Sequence, residues 1–117
     1  MIYMSTDLLA NEVKKGTAEL LILTLLEDAP RHGYDIGRQI DVQSEGAIRF
    51  QIASLYPMLY RLEKRGLIEG RWVERARQRR KRFYRLTPEG RRVLRAQRSF
   101  WNEFITALNR VAKLRHA

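Results

Sequence analysis

The chain contains no cysteine, only two histidines and three prolines, and no apolar run longer than the seven residues Leu20–Leu26, itself interrupted by Thr24. Without thiols there is no disulfide framework, no zinc-finger thiolate set and no cysteine nucleophile. His32 and His116 stand far apart in the sequence and make a poor catalytic or metal-ligating pair. Glycine-rich phosphate loops and nucleophile elbows are missing as well, so the pattern reads as non-enzymatic and calls for no cofactor. A bilayer span needs about 20 consecutive apolar residues, so Leu20–Leu26 reads as a buried helix. No basic-then-apolar leader precedes it, and the expectation is a cytoplasmic protein. Acidic side chains are also scarce: 13 Asp and Glu face 23 Lys and Arg, a formal net charge of +10.

What is present suits one small domain. The 117 residues are 44% hydrophobic, enough to fold around a core without staples. The charge is unevenly placed. Residues 1–60 carry five basic and eight acidic groups, whereas residues 71–98 carry twelve basic groups against Glu74 and Glu89, a local excess equal to that of the whole chain. Eighteen of the 23 basic residues are Arg, whose planar fork matches phosphates and guanine edges. A localised basic element of this kind points to nucleic acid; a merely solvated face is the plainer alternative.

Along the chain, Ser5-Thr6-Asp7 offers N-cap chemistry for a short helix that Gly16 is expected to break. A second helix from Thr17 is apolar on nearly every side and should be central, ending by Ala29 before Pro30. A third starts near Gly33 and turns Tyr34, Ile36 and Ile40 partly inward, followed by a connector in which Ile48, Phe50 and Ile52 alternate as a brief strand would. In the fourth helix Ile52, Leu55, Leu59 and Leu62 form the inner stripe; Pro57 belongs in a first turn, so this helix begins near Ala53, and Gly66 stops it. The runs Leu67–Glu74 and Lys81–Leu86 read as a β-hairpin with a basic tip. Thr87-Pro88-Glu89 then opens a long amphipathic helix carrying Phe100, Trp101 and Phe104. That helix is too long for the rest of the chain to cover, which predicts a second subunit against it or a fold-back on the N-terminal helix.

Three helices, an exposed polar face and a basic hairpin follow the order of a winged helix-turn-helix, mainly α with a small β-hairpin. Lys15-Gly16-Thr17, His32-Gly33-Tyr34-Asp35-Ile36, Ser54-Leu55-Tyr56-Pro57 running on to Glu63, and Phe83-Tyr84-Arg85-Leu86-Thr87-Pro88-Glu89-Gly90 together resemble the PadR family of transcriptional regulators. The resemblance covers residues 15–95 and is similar to the compact class with a single C-terminal helix. It implies a cytoplasmic, homodimeric repressor on an inverted-repeat operator. The C-terminal helix would make the dimer, and a small aromatic effector is a further implied partner. The expected division is an N-terminal arm at 1–16, a DNA-binding domain at 17–86 and a dimerisation helix at 87–117.

On this reading Tyr56, carried over from the family motif, reaches a phosphate or base edge, unless it packs on Pro57. Ser54 serves as N-cap or phosphate ligand. Tyr60, Arg61 and Lys64 continue the outer face, with Arg61 suited to guanine and Lys64 to phosphate. Arg75, Arg77, Arg79, Arg80 and Lys81 form a wing tip supplying affinity without sequence preference. Trp72, Phe83 and Tyr84 read as hairpin packing, and His32 as structural. Phe100, Trp101 and Phe104 read first as dimer core, with an effector pocket as the alternative. The competing function is a basic protein that binds RNA or an anionic surface without reading sequence.

Overall fold

In the computed structural model the described residues are 2–74 and 79–114; Arg75, Arg77 and His116 lie outside them. The elements are α1 (Ile2–Leu25), β1 (Arg31–His32), α2 (Gly33–Gln43), α3 (Ile52–Lys64), β2 (Ile68–Val73), β3 (Lys81–Leu86) and α4 (Pro88–Ala112). This is the expected winged helix-turn-helix with a long C-terminal helix. None of the described helices is long and apolar enough to cross a membrane.

One core holds the elements together. Ile22, Leu23 and Leu26 of the α1 segment meet Ile36 and Ile40 of α2, Leu55, Leu59 and Leu62 of α3, Leu67 and Ile68 at the start of the wing, and Leu94 of α4. Each buried Leu or Ile contributes about 1.5–3 kcal/mol of transfer free energy, which fixes α3 by its inner stripe and leaves its opposite side to solvent.

The structure corrects several sequence expectations. Gly16 does not break the first helix: α1 runs through it, because one mid-helix glycine costs only about 1 kcal/mol while the turns beyond it are buried. Thr17 is not a cap, since its hydroxyl donates back to the Val13 carbonyl at 2.8 Å. Residues 41–51 form no strand. Asp41–Gln43 finish α2, Glu45 (φ 54°) and Gly46 (φ 82°) reverse the chain, and Ile48 and Phe50 pack against the core. The sheet edge they would have needed is taken by β1, which pairs antiparallel with β3 through Arg31↔Tyr84 and His32↔Phe83. The wing is therefore a three-stranded sheet ordered β1–β3–β2, where a two-stranded hairpin was expected. Ile52 and Tyr34 point outward, 39% and 67% exposed. Pro57 sits in the second turn of α3, so the helix begins five residues ahead of it. The N-cap is Gln51, without a side-chain hydrogen bond, which removes Ser54 from that role.

The start of α4 matches its sequence signal. Thr87 Oγ1 accepts the Gly90 N–H at 3.0 Å and donates to the Gly66 carbonyl at 2.6 Å, so one hydroxyl caps α4 and ties it to the turn after α3. Gly90 is required by space: a Cβ there would lie 2.0 Å from the Leu67 carbonyl oxygen. Further along, Arg98 forms a two-pronged pair with Glu27 at 2.8 and 2.9 Å and Gln97 donates to Glu19, fastening the first half of α4 to α1. Fold-back on the N-terminal helix thus holds for that half. The second half carries Phe100, Phe104, Ile105, Leu108 and Val111 exposed. Because neither Thr87 nor Leu67 can retreat, Gly90→Ala is expected to destabilise the fold by about 3 kcal/mol, read as a lowered denaturation midpoint at fixed protein concentration; an unchanged midpoint would contradict the packing described.

Candidate nucleic-acid interface

The face opposite the α3 core stripe carries the predicted contacts, spread over three directions. Tyr60 and Lys64 stand on the outermost part, both exposed, with the Lys64 ammonium 5.8 Å above the Tyr60 ring. Tyr56 lies on the wing side, where its ring edge packs against Gly33 at the start of α2, so the contact it makes is with α2 rather than Pro57 alone. Ser54 and Arg61 lie on the α1 side. Ser54 shares a depression with Lys14, Lys15 and Arg49, and Arg61 one with Lys15, Glu19 and Arg65. Nothing local in the sequence marks Lys14 and Lys15 for this face, because the apparent break at Gly16 separates them from the helix that packs beside α3.

On the wing, Arg79, Arg80 and Lys81 are exposed. Arg75 and Arg77 fall outside the described residues. The strand register places Gly70 opposite Tyr84 and Trp72 opposite Arg82, so these four share one sheet face, turned toward α2 and α3. On that face Arg82 is held from several directions. Its Nη2 donates to Glu63 Oε2 of α3 at 2.5 Å, and its guanidinium lies 5.5 Å from the Trp72 ring and 5.8 Å from the Tyr84 ring. The same Glu63 oxygen accepts the Gly70 N–H at 3.1 Å. A Cβ at Gly70 would lie 2.6 Å from Arg82 Nε, so any side chain there would displace the guanidinium from its place beside Glu63. Glu63 therefore couples the end of α3 to the wing, a role the sequence offered no signal for beyond its place after Leu62. Burial raises the Tyr84 phenol above its ordinary value and keeps it neutral.

Electrostatically the interface is sorted. The described ion pairs are Arg31–Asp35, Arg49–Asp41, Arg65–Glu19, Arg82–Glu63, Arg85–Glu69, Arg92–Glu89 and Arg98–Glu27. None of these holds Arg61, Lys64, Arg79, Arg80 or Lys81, so the cations on α3 and the wing keep their charge available to an outside anion. No group of three or more His, Cys, Asp or Glu among the described residues is arranged to hold a metal.

His32 has a defined structural task. Its Nδ1 accepts the Asp35 N–H at 3.3 Å as the N-cap of α2, and its ring meets Phe83 edge-on at 5.2 Å. Phe100, Trp101 and Phe104 touch one another on α4, with centroids 5.6 to 6.0 Å apart, Phe100 and Phe104 exposed and Trp101 half-buried.

A sheet-backed wing fixed to an outward-facing helix defines a winged helix-turn-helix protein, and comparison with known proteins gives its family. The model of the transcriptional regulator PadR-like family matches residues 22–96, more than half of the chain, and the chain belongs to that family. It is similar to a PadR family transcriptional regulator from Eggerthella lenta DSM 2243, with 28% identity, a TM-score of 0.77 and coverage of 97% of this chain and 95% of the other. Bacillus subtilis PadR in complex with operator DNA shares 26% identity and a TM-score of 0.64, over 69% of this chain and 46% of that one. An uncharacterized protein from Lysinibacillus sphaericus is 27% identical over 93 residues, 80% of this chain and 85% of its own.

The cap implies a pH dependence. Burial, and then the neighbouring Lys81 charge, lower the His32 pKa from its ordinary 6.5. The unfolded chain then takes up a proton at a higher pH than the folded one, so stability is full above about 6.5 and is lost as pH falls through the folded-state value. Replacing His32 with Asn, a non-titrating N-cap, should remove this slope while keeping neutral-pH stability within about 1 kcal/mol, as measured by thermal melts from pH 7.5 to 5; a slope of equal size in the variant would refute the assignment.

Proposed function

We propose that the chain is a sequence-specific DNA-binding repressor that works in the cytoplasm as a homodimer on an inverted-repeat operator. The observation that carries this reading is the outward face of α3, exposed beside Arg79, Arg80 and Lys81, which enter none of the ion pairs among the described residues. An α-helix fits a major groove about 12 Å wide, and a hairpin beside it reaches the adjoining phosphates or the minor groove. The family membership and the operator complex of the Bacillus subtilis PadR support the same reading.

Residues 17–86 act as the reading head. Tyr56, Tyr60 and Arg61 contact base edges or the phosphates next to them, with Arg61 the donor suited to guanine. Ser54 and Lys64 contact phosphate, and Arg75, Arg77, Arg79, Arg80 and Lys81 add affinity through counterion release. Residues 87–117 pair the subunits. The exposed rings of Phe100 and Phe104, 59% and 47% accessible, and the apolar residues that follow are too large a contiguous surface to leave in water, and a second α4 is the simplest cover. Trp101 belongs to the same seam, and a small aromatic effector that relieves repression would enter between these rings.

Two outcomes follow. A duplex enriched from a random pool by the intact protein should bind with a strong salt dependence, and Arg79→Ala with Arg80→Ala should reduce the log–log salt slope of the dimer by about four, two contacts in each subunit, whereas Arg61→Ala should relax the preference at one base position per half-site. Equal binding to random DNA would sink the proposal. Phe104→Glu should convert the dimer to monomer in sedimentation at micromolar concentration and weaken binding to the full duplex at least about tenfold, leaving the helical signal of the head intact.

A further inference from the structure

Two exposed rings on the DNA-facing side are left without work by the reading above. Tyr34 at the start of α2 and Trp72 on β2 are 67% and 54% exposed. With His32, Tyr56, Arg80 and Lys81 they line a cleft of about 480 Å³ between the α2–α3 pair and the inward face of β2 and β3. Its floor is rigid, because Arg82 is fixed there by Glu63, Trp72 and Tyr84. Glu63 matches the charge of Arg82, so the positive potential of the cleft comes from Arg80 and Lys81, which have no acidic partner among the described residues. Arg80 is held in place: its guanidinium carbon lies 4.8 Å from the Trp72 ring centroid, on an indole that also faces Arg82.

We infer that this cleft seats the sugar–phosphate strand that separates the major groove from the minor groove, Arg80 and Lys81 pairing with its phosphate, the Tyr34 and Tyr56 hydroxyls donating beside them, and the Trp72 ring lying against deoxyribose. The inference rests on the DNA-binding reading and follows from it geometrically. When α3 occupies the major groove and the wing reaches the neighbouring minor groove, the strand between the grooves has to cross the space between α3 and the β2–β3 sheet, and the cleft is that space. Its chemistry also fits. A phosphodiester needs cations and hydroxyl donors, and the C–H faces of deoxyribose are matched by aromatic surface. By excluding water, the indole strengthens the Arg80–phosphate pair, which in the open would be weakened by solvent. Trp72 is thus a scaffold for Arg80 as well as a contact, and Tyr34 is exposed because its partner is another molecule.

The test uses the intact protein and the duplex it enriches from a random pool, with single neutral methylphosphonates placed along each strand. At one phosphate per half-site, on the strand between the grooves, the substitution should weaken wild-type binding about tenfold and lower the salt slope by about one. In Arg80→Ala the same substitution should have no further effect. Trp72→Ala should lose as much affinity as Arg80→Ala, and Trp72→Phe should restore most of it. In a Trp101→Phe background Trp72 is the remaining tryptophan, and its emission should shift to the blue on saturation with duplex. A pool that yields no enriched duplex overturns the DNA reading itself. An enriched duplex whose methylphosphonate losses add independently to Arg80→Ala, or which leaves Trp72 emission unmoved, overturns this assignment alone.

Discussion

The geometry of the head depends on one carboxylate. Glu63 stands near the end of α3 and joins that helix to both strands of the wing, accepting the Gly70 N–H from β2 and the Arg82 guanidinium from β3. The pair is partly shielded, each side chain a little over one quarter accessible, so its worth lies less in net stability than in direction. A helix and a hairpin connected by a short turn could meet at many angles. Here the angle is set by the hydrogen bonds of Glu63, with the Arg82 guanidinium lying over Gly70 in space that a methyl group would contest. The core stripe of α3 decides how deep that helix sits, and Glu63 decides where the wing stands beside it.

From this joint follows a division of the positive charge. The chain has ten more cations than anions, and seven of its 13 acids are paired within the described framework: Glu27 and Glu19 fasten α4 and the end of α3 to the α1 segment, Glu69 pairs across the β2–β3 ladder, and Glu89 braces the first turn of α4. At Glu27, the Arg98 hydrogen bond holds the carboxyl below its ordinary range, which favours the charged form that the brace requires. Among the cations that form no ion pair in the described residues are Arg61 and Lys64 on α3 and Arg79, Arg80 and Lys81 on the wing. Surface pairs of this kind contribute little energy individually, about 0–1 kcal/mol, but each withdraws one cation from competition for an external anion. The arrangement leaves a group of unpaired cations where a polyanion is proposed to lie.

Much of this was legible in the sequence because the signals were local. Thr87-Pro88-Glu89 announces a helix start whatever surrounds it, Gly66 in the left-handed region ends the segment before β2, and the spacing of Leu55, Leu59 and Leu62 marks the buried side of α3. What was not legible depended on partners distant in the chain. Gly16 reads as a break until the burial beyond it is known; Arg31 and His32 read as loop until β3 offers them an edge. Tyr34 in a helix start looks like core by period alone, yet the Tyr56 ring already occupies the space over Gly33. Lys14 and Lys15 lie forty residues from Ser54, and only the packing of α1 beside α3 brings them to the same depression. The sites of uncertainty in the sequence were thus the junctions between elements, where side chains are placed by neighbours rather than by periodicity.

The two halves of α4 are coupled by the continuity of the helix. Its first half is fastened at Gly90 against the Leu67 carbonyl, at Leu94 in the core and at Arg98 on Glu27. Its second half continues without Gly or Pro through Ala112, so the element behaves as one rod about 37 Å long. A rod anchored within a turn of the wing cannot tilt at its free end without carrying the head with it. If two such rods pair along the Phe100–Phe104 seam, the distance and angle between the two α3 helices are fixed by the packing of those rings. A change at the seam then becomes a change in half-site spacing, and binding energy gathered at the wing is realised only when both heads fall in register with the DNA.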